Sequence, residues 1–364
     1  MASVTRSQVL GFRVRAQHLD GGARDLADAA VLDIGLQDTG ADGAVWALSV
    51  RGVDVSELSH DELVMAWTLR GAPHLYRRGD LPSVAAATWP FSDADAGKRI
   101  YDAAKPLRAA GIGVLAALDA VATTMRSVVT TPMVKGEVSA RLTTLMDPPY
   151  LRFCRPCNTT HLYEMPFRLA ALRAGLELDV GTSPPVLRPV PGFEPADVAS
   201  EQHDAVRTYL RLLGPATPKH VADYLGAPVK DVKARWPADA LEVSVDGERR
   251  WVLAADEDAL SAGPVTTTRL LGPFDLFGQA RDRSLLVDDP VRAKALWPVL
   301  GRPGAVLLDG EIAGTWRARR SGSGLGVHVA LWAKATARGR NEINEQAERL
   351  SAARQLPLSG IEFA

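Results

Sequence analysis

Cys154 and Cys157, with two residues between them, and His161 four positions further on have the residue types and spacing of half a zinc knuckle. Thiolates and imidazoles suit zinc, but a structural zinc ion normally takes four protein ligands. The chain has only these two cysteines, so another histidine or a carboxylate such as Glu164 would have to complete the set. A redox pair is the other chemistry open to this spacing, and it usually lies at a strand-to-helix junction. The surrounding YLRFCRPCNTTHLYEMPF reads instead as a hairpin. No metal or other cofactor is therefore expected, and ordinary buried thiols are the preferred reading. Cys154, Cys157 and His161 stand as the alternative ligand set.

A second group of residues is basic. In the stretch 209–254, Thr217 and Pro218 form a cap and first-turn pair, and Val221, Ala222 and Leu225 share a helical face. Gly226 ends that helix, and Pro228 starts another carrying Lys230, Lys233 and Arg235. Strands LEVSV and RWVLA then flank Asp246-Gly247, a two-residue hairpin signal. This is the order of a helix-turn-helix with a β-wing, which lays a helix against DNA or serves as scaffold. Further on, Arg317, Arg319 and Arg320 precede the flexible Ser321-Gly322-Ser323 turn. Such a tip can approach phosphates or a groove, or remain a solvated loop. Strand alternation puts Arg317 and Arg319 on one face and Trp316 and Ala318 on the other.

These residues need a scaffold, and 364 residues suffice for two or three domains with ordinary cores. The composition is that of a soluble globular protein, rich in Ala, Arg, Asp and Gly and poor in Lys, as in GC-rich bacterial genomes. No apolar run approaches membrane-spanning length, and the N-terminus lacks a signal-type apolar segment. With two cysteines, this indicates a reducing, cytoplasmic setting, nucleoid-associated if DNA is the partner. The net charge is −1, yet residues 265–340 hold twelve basic and six acidic residues, leaving the remainder acidic. One basic end on a neutral chain fits a directed phosphate-binding face better than nonspecific coating.

The expected fold class is α+β: tandem winged-helix units, then an antiparallel β-meander with a helix. The first unit, 1–104, has a helix in QVLGFRVRAQHL, others over Ala23–Leu36, Gly43–Val50 and Glu57–Met65, and two short strands about Gly71-Ala72-Pro73. The second, 105–190, has an amphipathic helix through Ile112, Leu115, Leu118, Ala122 and Met125, a helix in MVKGEVSARLTTLM, the Cys-x-x-Cys hairpin, and a helix in FRLAALRAGL. The Pro-rich stretch 182–195 reads as a linker. The third unit is 191–262. The last, 263–364, contains strands AVLLDG, EIAGTWRARR and VHVALWA and a closing helix over Arg340–Gln355.

Four motifs in this order, WTLRGAPHLY (67–76), LRLLGPATPKHVADYLG (210–226), LLGPFDLFGQARDRSLL (270–286) and PGAVLLDGEIAGTWR (303–317), resemble the AlkZ-like family of tandem winged-helix DNA glycosylases. The resemblance spans nearly the whole chain. It implies double-stranded, damaged DNA as partner and a monomer that excises alkylated or bulky N7-purines, with crosslink unhooking within the family's range. The family's catalytic pattern is Gln, one residue, then Gln or Asp. Here GLQDTGADGAVWAL (35–48) puts Gln37 at the first position and Thr39 at the second, with Asp38 between.

An N7-alkylated guanine already carries positive charge and leaves without much acid help. The protein must instead hold the exposed nucleotide, place a water at the anomeric carbon and stabilise an oxocarbenium-like centre. Gln37 is the implied water-positioning residue, Thr39 follows it, and Asp38 is the substitute acceptor. The same three residues also suit a helix cap and turn. A non-catalytic winged-helix DNA-binding protein, regulatory or lesion-shielding, is the alternative that the Gln-Asp-Thr departure favours. Arg70 and His74 match the first motif, as backbone or cleft contacts or, for His74, as a packed core histidine. Arg281, Asp282 and Arg283 resemble the family's Arg-Asp-Arg turn, bridging phosphates or forming an internal ion-pair network.

Overall fold

The computed structural model describes residues 2–40, 43–56, 58, 61–321 and 323–364. Gly322 of the expected flexible turn lies outside them, as do Glu57, Ser59 and His60 of an expected helix. The fold is α+β, as expected, with helices interleaved among four sheets within the described residues. A six-stranded sheet runs in the order Leu36–Gln37, Pro73–Arg77, Leu63–Trp67, Leu176–Leu178, Val186–Pro189 and Met133–Val134. It draws on both the 36–77 and the 133–189 parts of the chain.

The helix-turn-helix and wing form as the capping and turn residues dictate. Helices span Ala205–Leu213, Pro218–Leu225 and Val229–Lys233, and Thr217 accepts the His220 N–H through its hydroxyl. Gly226 adopts φ +74°, the left-handed cap that suits glycine. Strands Ala240–Val245 and Glu248–Leu253 pair around Asp246 and Gly247, both at positive φ. Ala2–Val4 adds a parallel third strand that the sequence did not announce.

At the C-terminal end Arg269–Leu271, Gly304–Leu308, Glu311–Ser321 and Gly324–Leu331 form the expected antiparallel meander. The helix Ala337–Ala353 crosses over to Leu358–Phe363, which pairs parallel to Gly324–Leu331. One continuous apolar core joins the N-terminal helix Arg6–Ala16, the helix-turn-helix and this sheet, through residues such as Phe12, Leu210, Leu225, Phe277 and Val306.

Three expectations need correction. Residues 23–36 form no long helix: only a short turn at Ala30–Asp33 and the strand Leu36–Gln37 appear. Asp25 accepts the Asp28 N–H through its side chain, offering the backbone a partner outside a helix. Gly35 is at φ +85°, and a Cβ there would meet the Tyr76 ring at 2.4 Å. Within the expected helix 57–65, Leu63–Trp67 begins a strand whose five residues are all buried, so no alternation betrayed it. The Pro-rich stretch 182–195 contains the strand Val186–Pro189, paired on both sides, with prolines at its edges rather than its middle.

Candidate functional site

Gln37 sits on the two-residue strand Leu36–Gln37, held opposite Leu75 and His74, and the Asp38 N–H donates to the Pro73 carbonyl at 2.9 Å. The tight Gly35–Tyr76 approach fixes the entry to this strand. Asp38 turns back and accepts the Ala44 N–H at 2.9 Å, at the start of helix Gly43–Ser49. Thr39 is exposed, and its hydroxyl accepts from Gln37 Nε2 at 3.0 Å. Gln37 and Thr39 therefore form a hydrogen-bonded pair at the surface.

Arg70 organises what surrounds them. It lies at the turn between strands Leu63–Trp67 and Pro73–Arg77, in the left-handed region at φ +58°. Its Nη2 donates to Gln37 Oε1 at 3.2 Å and to Gln279 Oε1 at 2.8 Å, while Nη1 donates to the Tyr224 carbonyl at 2.7 Å. The guanidinium also stacks 4.8 Å from the Tyr224 ring centroid. One side chain thus joins the Gln37 strand, the end of the helix Pro218–Leu225 and the C-terminal segment. Each amide oxygen keeps a second lone pair beyond the one Arg70 uses.

Gln279 was not anticipated as a site residue, although it lies in a quoted motif. Its position follows from a buried ion pair: Arg51 meets Asp275 through two hydrogen bonds of 2.7 and 2.9 Å. Asp275 also caps the turn Leu276–Gln279 by accepting the Phe277 N–H. Gln279 Nε2 donates to the Phe274 carbonyl, which aims its oxygen at Arg70.

Arginines crowd the same region. Arg281 lies 5.9 Å from the Tyr224 ring centroid and Arg283 lies 4.9 Å from that of Trp297. Arg302 stacks on Phe274 and donates to the Gly278 carbonyl at 3.0 Å. Burial first, then the charges of Arg283, Arg281 and Arg70, pushes the Arg302 guanidinium down to about 10. Burial and the neighbouring Arg70 also push Arg281 down. Arg302 stays protonated at neutral pH, and the Asp275 carboxylate whose charge partly offsets it is committed to Arg51. Arg70, Arg281 and Arg302 are half-buried and Arg283 is exposed, and a partly desolvated set of like charges of this kind favours an anion. Arg302 sits alone in a Gly/Pro-rich stretch, with no motif to flag it.

Asp282 does not pair with its sequence neighbours. It points inward, where it accepts two hydrogen bonds from Arg13, at 3.0 and 2.7 Å, and one from Arg250. The turn is thereby anchored to the N-terminal helix and the wing, and Arg281 and Arg283 are left to face elsewhere.

The remaining candidates are spread out. His74 is fully buried beneath Gln37, its Nδ1 3.0 Å from the Ala72 carbonyl, and burial followed by the Arg70 charge lowers its pKa to about 3. It is neutral and supports the strand from below. Lys230 and Lys233 are exposed on the short helix Val229–Lys233. Arg235 stacks 4.4 Å from the Phe91 ring centroid, and Asp231 accepts from Ser92, so one side of that helix is docked. Arg317 donates to the Gly301 carbonyl at 2.6 Å, beside Arg302 in the chain, while Arg319 and Arg320 extend into solvent further along the strand. Cys154 is half-buried and Cys157 exposed, which corrects the expectation of buried thiols. Both belong to a separate hairpin, and none of the contacts around Gln37 involves them.

Among the described residues, no single helix is long and apolar enough to cross a membrane. A search of curated proteins gives no match. Among solved structures the chain is similar to the Streptomyces sahachiroi DNA glycosylase AlkZ, with a TM-score of 0.75 and 20% sequence identity over 100% of both chains. At that identity the likeness establishes the fold. The family model described as DNA glycosylase AlkZ-like matches residues 35–353, which takes in Gln37, Arg70, Gln279 and the arginine cluster. On that match, the chain belongs to the AlkZ-like family of DNA glycosylases.

Proposed function

We propose that this enzyme excises N7-alkylated or otherwise bulky purines from double-stranded DNA as a monofunctional glycosylase, acting as a cytoplasmic, nucleoid-associated monomer. The observation that carries this reading is the convergence of two amide oxygens, Gln37 Oε1 and Gln279 Oε1, on one nitrogen of Arg70 beside a half-buried arginine cluster. The arginines suit the phosphates flanking the target nucleotide, and the neutral amides suit the sugar between them.

In the reaction a water oxygen bonds to the anomeric carbon as the bond to the purine nitrogen breaks. The bonding electrons relax into the cationic ring, the base leaves neutral, and the water proton passes to solvent. The free lone pairs of Gln37 and Thr39 accept the water's hydrogens and aim its oxygen. Gln279 supplies a second amide close to the place where the family's pattern has its second polar residue. The phosphates drawn in by Arg281, Arg283 and Arg302 offset the positive charge of both the lesion and the developing oxocarbenium. Lys230, Lys233, Arg317, Arg319 and Arg320 hold the duplex on either side.

Duplex DNA carrying N7-methylguanine or a nitrogen-mustard crosslink, incubated with the protein and then treated with alkali, is expected to show abasic sites well above spontaneous depurination. Their absence on both substrates would remove the proposed substrate class. The arginine cluster has its own test in the salt dependence of binding to an uncleavable duplex. Arg281→Gln and Arg302→Gln are each expected to reduce the slope of log affinity against log salt by about one, the signature of a lost phosphate contact. An unchanged slope in both variants would take the phosphates away from this cluster.

A further inference from the structure

We propose that Cys154, Cys157 and His161 bind one zinc ion whose fourth coordination position opens into the adjoining pocket. The candidate ligand atoms of these three residues all lie within 4.8 Å of one another. Around zinc, with Zn–S near 2.3 Å, tetrahedral sulfurs sit about 3.8 Å apart. Small rotations of the exposed Cys157 side chain close the difference.

The hairpin builds this arrangement from its register. Cys154 ends the strand Leu151–Cys154 and pairs with Thr159, so His161, two residues beyond Thr159, shares its face. Pro156 presets the turn, and the Asn158 N–H donates to the Arg155 carbonyl. Asn158 then takes the left-handed conformation at φ +49°, turning the chain back into the strand Thr159–Leu162.

The imidazole is oriented as a ligand needs. His161 Nδ1 is 2.7 Å from the Leu162 carbonyl. A carbonyl only accepts, so Nδ1 carries the proton and Nε2 presents its lone pair. Two thiolates and a neutral imidazole balance the charge of a zinc ion, and this donor set selects zinc over harder cations.

Glu164, the carboxylate that the sequence offered as fourth ligand, lines the same pocket but is held by two cations. Lys135 donates to it at 2.7 and 2.9 Å and Arg168 at 2.6 Å. The ligands instead border a pocket of about 680 Å³, lined also by Ser139, Thr143, Thr160 and Phe167. Water from that pocket takes the fourth position. Two cysteines, one histidine and an exchangeable site make this an open centre rather than a closed structural one. None of the three ligands is among the hydrogen-bond partners of Gln37, so its test is independent of the proposed glycosylase substrate.

The experiment is titration of the full-length, reduced, metal-free protein with Co²⁺ alone under anaerobic conditions. Saturation at one equivalent is expected, with a thiolate-to-cobalt charge-transfer band and the strong visible bands of tetrahedral cobalt, both lost on adding Zn²⁺. Cys154→Ser and Cys157→Ser should each weaken the charge-transfer band. His161→Ala should weaken Co²⁺ binding at least about tenfold and shift the visible bands, with far-UV circular dichroism unchanged. No charge-transfer band at saturating Co²⁺, or cobalt binding that His161→Ala leaves intact, would overturn the site.

Discussion

Replacing Gln37 by Ala is expected to slow excision of N7-methylguanine by about 100- to 1,000-fold in single-turnover reactions, the usual cost of losing one preorganised polar group at the reacting centre. The loss follows from geometry. Gln37 is fixed by strand pairing with His74, by Arg70 at 3.2 Å and by Thr39 at 3.0 Å. In the proposed mechanism its oxygen would aim a water without reorganising during the reaction. Affinity for undamaged duplex should change little, because the arginines and exposed lysines remain. Gln279→Ala should also slow the reaction, by a smaller factor, since its amide oxygen shares the Arg70 nitrogen with Gln37. A Gln37→Ala enzyme that keeps its rate would move the catalytic position elsewhere, whatever the activity of the parent protein.

Asp282→Ala is expected to cost about 3–5 kcal/mol of folding stability, read as a lower urea midpoint. The substitution leaves Arg13, whose side chain is wholly buried, and Arg250, at 6% exposure, without their shared carboxylate. An uncompensated buried charge costs far more than a lost surface pair. Burial alone would raise the Asp282 pKa, but the charge and hydrogen bonds of Arg13, then Arg250 and His220, hold it below the usual carboxylate value. Its contribution is therefore complete above the unfolded-state pKa of about 3.9 and disappears as pH falls through the lower folded value. The variant should accordingly lose less stability than the parent protein over that acid range. A cost under about 1 kcal/mol would show that the network is solvated in a way the buried geometry does not allow.

Much of the scaffold was legible because local chemistry and tertiary structure agree. Thr217, Gly226 and Asp246-Gly247 each mark a cap or turn whose φ or hydrogen bonding leaves few alternatives, and the helix-turn-helix with its hairpin appears where they place it. The same holds for the meander, whose turn residues and alternating Trp316 and Arg317 set its register. Elements failed where burial removed periodicity, as in Leu63–Trp67, or where side chains captured the backbone, as at Asp25. Leu358–Phe363 was invisible because a short parallel strand depends on a neighbour far away in sequence.

The site was legible only where a motif named a residue. Gln37, Thr39 and Arg70 could be singled out from the chain, but not the fact that Arg70 bonds to Gln37. Gln279 and Arg302 join the site through contacts spanning some 200 residues, which no local spacing encodes. The Arg-Asp-Arg turn was ambiguous for the same reason: the partners of Asp282 are Arg13 and Arg250, which lie 269 and 32 residues away in the chain.

The proposed arrangement of Gln37, Gln279 and the arginines around one nucleotide is tested most directly by a crystal structure of the protein on duplex DNA containing an uncleavable pyrrolidine analogue of the abasic sugar. The expected structure has the ring nitrogen facing the Gln37–Thr39 pair across a bound water, with flanking phosphates on Arg281 and Arg302. A duplex lying along Lys230 and Lys233, with the analogue still stacked in the helix and remote from Gln37, would contradict it.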